Sequence, residues 1–244
     1  MIGTKFSIII PVYNEEAILE KQIASLLKGL EIHFPLSHYY WEIILVENGS
    51  QDNSKKIVRK LAKQSSVINT LHLLYPSYGE ALKLGLEKAK YPIVVNFDLD
   101  FFDLCFLKKS LRLLNNCDIV IGSKTLPGSE DKRPIIRSLT TYFFNAFLRV
   151  IFNYPGTDTH GNKVLRRKLI LPILPKIIAQ KELFDTELIL RAHRQGLTIT
   201  ELPIKISEIR PSRYNNFKRI WNTFIDGCLI FKKKYLNGFN NHRR

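Results

Sequence analysis

The chain has 244 residues, 45% of them hydrophobic, and a formal net charge of +15 at pH 7. This length and hydrophobic content are sufficient for one large α/β domain with a substantial core. The three cysteines form no CxxC pair and the six histidines have no zinc-type spacing, which argues against a disulfide framework or a zinc finger. The positive charge implies an anionic partner: a phosphorylated small molecule, an anionic membrane surface or nucleic acid.

The N-terminal segment lacks the features of a signal peptide. Only Lys5 precedes the apolar run FSIIIPVY, which is followed at once by the charged residues NEE. No apolar run in the sequence approaches the roughly 20 residues that are needed to span a bilayer. We therefore expect a cytoplasmic protein.

The first half of the chain alternates apolar runs of strand length with helical patterns. This alternation is typical of βαβ units with a parallel sheet, and strands that are apolar throughout indicate a sheet covered on both faces. Helical patterns include Glu15 to Leu30, with Asn14 as the expected N-cap, and Asp52 to Gln64. Five strands are predicted, at residues 6–13, 41–48, 69–75, 92–100 and 118–124.

The second half begins with a basic loop after Lys124 and continues with a long apolar and aromatic helix, IIRSLTTYFFNAFLRVIF. After a break at Pro155 and Gly156, the patterns predict a helix around FDTELILRAHRQG and a strand, TITELPIKI. We predict one domain over residues 1–213 and an amphipathic basic helix with a tail over residues 214–244. That helix is suited to a membrane interface, and equally to packing its apolar stripe on the core.

Acidic residues follow three of the predicted strands, in PVYNEE, VENGSQDNS and FDLDFFD. In open α/β sheets, ligands bind at the carboxyl ends of the strands. Asp98 and Asp100 are two places apart, so in an extended segment their side chains would converge. A divalent cation such as Mg²⁺ or Mn²⁺ would offset their repulsion. The alternatives are a solvated turn for this pair, dipole capping for Glu15, and an ordinary βα turn for residues 47–50.

Several segments resemble family 2 glycosyltransferases of GT-A fold, in both order and spacing. They are SIIIPVYNEE, IILVENGSQDNS, YGEALKLGLEKAKYPIVVNFDLD, IVIGSK and FDTELILRAHRQGLTITELPIKI, and the resemblance covers roughly residues 5–215. The sequence is most similar to the dolichyl-phosphate mannose synthase group, which moves a sugar from a nucleotide donor to a polyprenyl phosphate. The resemblance implies a mostly parallel, Rossmann-like sheet flanked by helices.

The resemblance also implies roles for individual residues. The divalent metal, Mg²⁺ or Mn²⁺, would be held by Asp98 and Asp100, and catalysis would involve Asp100, Asp185 and Arg137. The nucleotide sugar would be bound by Pro11, Tyr13, Asn14, Glu15, Glu47, Asn48, Gly49, Ser50, Gly79 and Asp98. Acceptor or phosphate groups would be bound by Lys124, Arg133, Arg137, Lys163, Arg210, Ser212 and Arg213, although a solvated basic loop also explains the first three.

The sequence departs from the family pattern in three places. Glu47-Asn48 stands where an Asp, often followed by a second Asp, is usual, which bears on the preferred base. The segment DTHGNK is one residue shorter than its family counterpart, and its His160 is a weak catalytic candidate. The segment IRPSRYN lacks the glycine of the mannose synthase signature, which bears on transfer to lipid phosphate.

Two acceptors remain open from the sequence. A polyprenyl phosphate is already ionised near neutral pH, so transfer with inversion would need no general base, only positioning and charge stabilisation. A saccharide hydroxyl would need a base, for which Asp185 is the candidate, although helix capping is the alternative role of this residue. The donor would be a UDP-, GDP- or dTDP-sugar. Contact with the cytoplasmic face of an anionic membrane, and a separate membrane-embedded protein, are further expected partners; nucleic acid is not.

Two other classes compete with this interpretation. FDLD resembles the nucleophile loop of haloacid-dehalogenase-type phosphatases, but Phe101 and Phe102 follow it where a Gly-Thr pair is expected. An inactive basic relative that binds membrane or nucleic acid would explain the net charge of +15. It would not explain the acids at three strand ends.

Overall fold

A computed structural model describes residues 3–131, 135–181 and 183–206, with only the backbone of residues 136 and 137. The strands are β1 (Thr4–Val12), β2 (Tyr39–Asn48), β3 (Ile68–Leu73), β4 (Ile93–Asn96), β5 (Ile119–Ser123), β6 (Glu130–Asp131), β7 (Lys163–Arg166), β8 (Ile199–Pro203) and β9 (Lys205–Ile206). The α-helices are α1 (Leu19–His33), α2 (Ser54–Gln64), α3 (Tyr78–Lys88), α4 (Leu104–Leu113), α5 (Ile135–Phe152), α6 (Arg167–Ile170) and α7 (Leu183–Arg194), with a 3₁₀ turn at Leu174–Lys176.

Seven strands form one sheet in the order β3-β2-β1-β4-β7-β5-β8. All neighbours are parallel except β7, which runs antiparallel between β4 and β5. The predicted fold, a mostly parallel sheet flanked by helices, is confirmed. The antiparallel strand β7 was not predicted, because its four residues are too short to produce a periodic pattern.

Helices cover both faces of the sheet, as the apolar strands indicate. In β1, Ile8 and Ile10 lie in the core beneath α1, α2 and α4, whereas Ile9 lies in the core beneath α3, α5 and α7. Alternate residues of one strand thus enter two separate hydrophobic layers. Helices thus pack on both faces of the sheet, and this packing fixes where the strand ends lie.

Three predicted boundaries are wrong, and each error falls where the chain turns. Helix α1 begins at Leu19, and the expected cap Asn14 instead adopts a left-handed conformation with φ of 52°. Strand β4 ends at Asn96, so the Asp98 to Phe101 segment is a tight turn, closed by the Phe101 N–H donating to the Asp98 carbonyl at 3.1 Å. The last predicted strand is divided between β8 and β9.

The structure does not test the predicted division at residue 213, because residues 207–244 lie outside the described part. Within that part, no helix is both long and apolar enough to cross a bilayer.

Candidate active site

The loops that follow β1 and β2 are joined by hydrogen bonds between backbone and side chains. The Asn14 N–H donates to Ser50 Oγ at 3.2 Å, and the Gln51 N–H donates to Asn14 Oδ1 at 2.8 Å. The Glu15 N–H donates to Ser54 Oγ at 2.7 Å. Asparagine tolerates the left-handed backbone that these contacts require. The two loops therefore form one ordered edge, and the backbone of Glu15 is part of it.

The turn after β2 is determined by its own side chains. Glu47 accepts from the Ser50 N–H at 2.5 Å, and Asn48 Oδ1 accepts from the Ser77 N–H at 2.6 Å. Gly49 has φ of 68°, and a Cβ atom there would lie 2.8 Å from the carbonyl carbon of Tyr75. Only glycine fits without strain. The predicted residues 47–50 do lie beside the loop after β1.

In the acidic turn after β4, a buried carboxylate lies close to other carboxylates. Burial raises the pKa of Asp98 to about 6, with further contributions from Asp100 and Asp185, although Lys163 and Lys124 oppose the shift. The two predicted metal ligands are therefore close together, as expected. They meet through a turn rather than through an extended strand.

A buried network of charges lies next to this turn. The Lys163 side chain is fully buried, and its Nζ lies 3.1 Å from Asp185 Oδ1 and donates to the Gly161 carbonyl at 2.9 Å. The Tyr78 hydroxyl donates to Asp185 Oδ2 at 3.1 Å. The pKa of Tyr78 is far above its ordinary value because of burial and the carboxylates of Asp185 and Asp98, so this phenol stays protonated. The Asp185 side chain thus contacts Tyr78 and Lys163, and it also lies in the first turn of α7.

The DTHGNK segment contributes a second ion pair to the same region. Lys124 Nζ lies 3.4 Å from Asp158 Oδ2, and the His160 N–H donates to Asp158 Oδ1 at 2.8 Å. Burial lowers the pKa of His160, whose ring packs against Phe144, so this imidazole is neutral at pH 7. Gly161 is required for close approach, since a Cβ atom there would lie 1.7 Å from the carbonyl oxygen of Gly122.

The carboxylates of the acidic turn suit a hard divalent cation that also binds a ligand. The side chains that interact around the acidic turn include two ammonium groups, Lys124 and Lys163, and four carboxylates, Asp98, Asp100, Asp158 and Asp185. No group of three or more His, Cys, Asp or Glu residues able to hold a metal occurs in the described ranges. Two carboxylates suit Mg²⁺, which takes one or two carboxylates together with substrate phosphates.

Of the remaining predicted site residues, some lie near the strand ends, one has a packing role, and others lie outside the described residues. Pro11 and Tyr13 lie at the end of β1 and are partly buried. Gly79 is buried at the start of α3, where its N–H donates to the Gln180 carbonyl at 2.9 Å, so a packing role explains it. Predictions outside the described residues concern Arg133, Arg210, Ser212 and Arg213, and the side chain of Arg137.

Sequence reasoning missed two residues of this region, Tyr78 and Asn96. Tyr78 is the first residue of α3, and Asn96 is the last residue of β4. Asn96 Oδ1 is buried and has no hydrogen-bond partner among the residues that the structure describes. Both lie in the segment YGEALKLGLEKAKYPIVVNFDLD, but the pattern gave neither a role. Asn96 is only two residues before Asp98, whereas the packing of α3 brings Tyr78 to the acidic turn.

Comparison with known proteins gives consistent matches. The model for the family described as glycosyl transferase family 2 matches residues 7–173. A dolichyl-phosphate beta-glucosyltransferase of Trichomonas vaginalis is 28% identical over 223 residues, covering 85% of this chain and 67% of that protein. Glycosyltransferase AglD of Haloferax volcanii is 26% identical, and the match covers 83% of this chain but 33% of that protein.

Among solved structures, a similar fold is found in glucosyl-3-phosphoglycerate synthase from Mycobacterium tuberculosis. That enzyme was crystallised with Mn²⁺, uridine diphosphate and glucosyl-3-phosphoglycerate. The TM-score is 0.62 at 19% identity, covering 86% of this chain and 74% of that chain. The GT-A fold expected from the sequence is confirmed.

Proposed function

Because the chain belongs to glycosyl transferase family 2, we propose that it transfers a hexose from a nucleotide diphosphate sugar to a polyprenyl phosphate, with a divalent cation at the donor diphosphate. The observation that carries this proposal is the cluster at the end of β4. There, Asp98 lies within electrostatic reach of Asp100, of the buried Lys163 and of the partly buried Lys124 at one edge of the sheet. The similarity to a dolichyl-phosphate beta-glucosyltransferase supports a lipid phosphate as acceptor.

We assign the donor to the strand ends from β1 to β4. The joined loops after β1 and β2, with Asn14, Glu15 and Ser50, would enclose the nucleoside. Asp98 and Asp100 would hold Mg²⁺ or Mn²⁺, which stabilises the negative charge of the departing diphosphate. Carboxylates alone would repel the diphosphate, so this donor site depends on the cation.

The acceptor phosphate would approach from the side of β7 and β5. Lys124 has 10% of its side chain exposed and can contact a phosphate, whereas the fully buried Lys163 acts through its field and through Asp185. A phosphate oxygen forms the new bond to the anomeric carbon as the bond to the diphosphate breaks, which inverts the anomeric configuration. Arg133, Arg137, Arg210, Ser212 and Arg213 remain proposed phosphate contacts on the strength of the resemblance.

The burial and the contacts of Asp185 favour a phosphate over a saccharide hydroxyl as acceptor. A saccharide hydroxyl requires a base that can take up its proton. Asp185 is 2% exposed, is paired with Lys163 and accepts a hydrogen bond from Tyr78. Its two carboxylate oxygens thus face Lys163 and Tyr78 inside the protein, where a saccharide hydroxyl has little access to them. An ionised phosphate needs no base.

The function can be tested by nucleotide release. The protein is incubated with Mn²⁺ or Mg²⁺ and UDP-, GDP- and dTDP-hexoses, beginning with UDP-glucose, with and without a short polyprenyl phosphate. We expect nucleoside diphosphate release that requires both the cation and the lipid phosphate. Release that is stimulated by saccharides and not by lipid would contradict the proposed acceptor.

A lipid acceptor implies contact with a membrane, and helix α5 has a surface that suits it. Phe144, Leu148 and Phe152 are buried on one side of α5, and the Phe144 ring packs against His160 beside the site. The opposite side exposes five large apolar residues: Ile135, Leu139, Tyr142, Phe143 and Val150. At 100° per residue these positions fall on one face of the helix. With a net charge of +15, an anionic bilayer is the occupant that we propose for this face.

Introducing negative charge on this face should weaken membrane binding. We expect a Leu139→Glu, Phe143→Glu variant to cosediment with phosphatidylcholine/phosphatidylserine vesicles at least about fivefold less than the original protein, because two carboxylates would replace apolar contacts. Ile32→Glu, at an equally exposed position on α1, is the matched control and should bind normally. Unchanged binding of the double variant would exclude this face. Reduced thermal stability of the double variant, with unchanged vesicle binding, would indicate that another part of the chain covers it.

A further inference from the structure

Glu47, the residue expected to contact the base, is enclosed by the protein. Its side chain is 1% exposed. One carboxylate oxygen accepts from the Ser50 N–H at 2.5 Å, and the other lies 3.4 Å from Nδ1 of His72. Both oxygens are therefore engaged inside the protein, and a ligand at the edge of the sheet cannot readily reach them.

His72 is held next to Glu47 with its ring partly open to solvent. The parallel register of β2 and β3 pairs Glu47 directly with His72, and 30% of the His72 side chain is exposed. A carboxylate can only accept hydrogen bonds, so Nδ1 of His72 must carry the proton in this contact. In the neutral ring, Nε2 is then a hydrogen-bond acceptor with a fixed orientation.

The end of β3 is also where a base would lie if the diphosphate is at the end of β4. The strand order places β1 and β2 between them, and neighbouring strands are about 4.8 Å apart, so the two ends are separated by about 14 Å. The opposite direction along the edge is occupied by the cluster of Lys163 and Asp185. Just past β3, Leu74 is 95% exposed and Tyr75 is 61% exposed, which offers apolar surface to a planar ring.

We infer that His72, positioned by Glu47, recognises the base through the Nε2 acceptor. This inference rests on the proposed function, since it requires a nucleoside diphosphate at this edge. Uracil and thymine carry an N–H at N3 and guanine carries one at N1, each next to a carbonyl, and these groups can donate to Nε2. Cytosine and adenine have an acceptor nitrogen at the corresponding position. His72 therefore selects uridine, thymidine or guanosine diphosphates over cytidine and adenosine diphosphates.

The test compares UDP with N3-methyl-UDP and CDP, neither of which can donate from N3. Binding is measured by titration calorimetry in the presence of Mn²⁺, for the original protein and for His72→Ala. We expect the original protein to bind UDP at least about 10-fold more tightly than either analogue. In His72→Ala the preference over CDP should fall to about twofold or less, mainly through weaker binding of UDP. Thr70→Ala, on the same strand, is the control and should keep the full preference.

The outcomes separate this inference from the proposed function. If UDP binds and His72→Ala keeps the full preference for UDP over CDP, the assignment of His72 is wrong and the proposed function stands. An original protein that binds UDP and CDP equally well also excludes His72 as the base-recognising residue. If the original protein binds no nucleoside diphosphate with Mn²⁺, the proposed function fails, and the role of His72 fails with it.

Discussion

Sugar transfer is expected to fall at least about 100-fold when Asp98 or Asp100 is replaced by asparagine. The amide keeps the shape of the side chain but lacks the charge that holds a divalent cation, and loss of one preorganised electrostatic contact commonly costs 10²-fold to 10³-fold in rate. The measurement is the steady-state rate with saturating Mn²⁺. Glu20→Gln, an exposed site on α1, is the charge-matched control. Unchanged turnover in either aspartate variant would contradict the metal assignment.

Because the pKa of Asp98 is raised, the stability of the metal-free protein should depend on pH. The pKa is about 6 in the folded protein and 3.8 without the perturbation, so the folded state binds more protons between these values. In the absence of metal, stability should therefore fall as pH rises from about 4 to about 6 and then level off. Asp98→Asn should lack this component. Thermal unfolding of the original protein and of Asp98→Asn, in EDTA at pH 4.5 and pH 7.5, measures this dependence of stability on pH.

Protons and metal compete for the same carboxylate, so Mn²⁺ should bind more weakly below pH 6 than at pH 7.5. Titration calorimetry at two pH values measures this difference. An Mn²⁺ affinity that is equal at pH 5.5 and pH 7.5 would show that Asp98 is not a ligand.

Replacing Lys163 by methionine is expected to lower the free energy of unfolding by about 3 to 5 kcal/mol. Methionine fills a similar volume, but it leaves the carboxylate of Asp185, which is 2% exposed, without its cation. An uncompensated buried charge is costly because desolvation is no longer offset by the ion pair. Urea denaturation monitored by circular dichroism gives the change in free energy.

The double variant Lys163→Met, Asp185→Asn separates the ion pair from general packing. With both charges removed, the double variant should be less destabilised than the sum of the two single variants, by about 1 to 3 kcal/mol. Strictly additive effects would mean that the 3.1 Å contact contributes no coupling. Transfer should be impaired in the double variant even if stability recovers, because Asp98 loses the electrostatic influence of both Lys163 and Asp185.

These two predictions describe one physical situation. Among the described residues, Asp100 and Asp185 lie close enough to the buried Asp98 for like-charge repulsion to raise its pKa. Binding of Mg²⁺ or Mn²⁺ would offset the repulsion and stabilise the folded chain by mass action. We therefore attribute the unfavourable charge distribution to function and not to folding.

The sequence was sufficient for the fold class and for most strand positions. The apolar runs at 6–13, 41–48 and 118–124 correspond to β1, β2 and β5 within two residues, because a strand buried on both faces must be apolar throughout. The same reasoning predicted that acids after β1, β2 and β4 share one edge. It placed Asp98 and Asp100 together, although the turn that joins them was misjudged as extended chain.

Tertiary structure alone decided which groups complete the site. Lys163 pairs with Asp185, which lies 22 positions later in the chain, and Tyr78 donates to the same Asp185 across 107 positions. No local pattern encodes contacts of that kind. The antiparallel strand β7 brings Lys163 next to Asn96, and β3 brings His72 next to Glu47. The sequence by itself determined the longer parallel strands, their covered faces and the acidic strand ends, since these follow from local periodicity. Pairing among buried charges depends on sheet order and helix packing, which only the folded chain specifies.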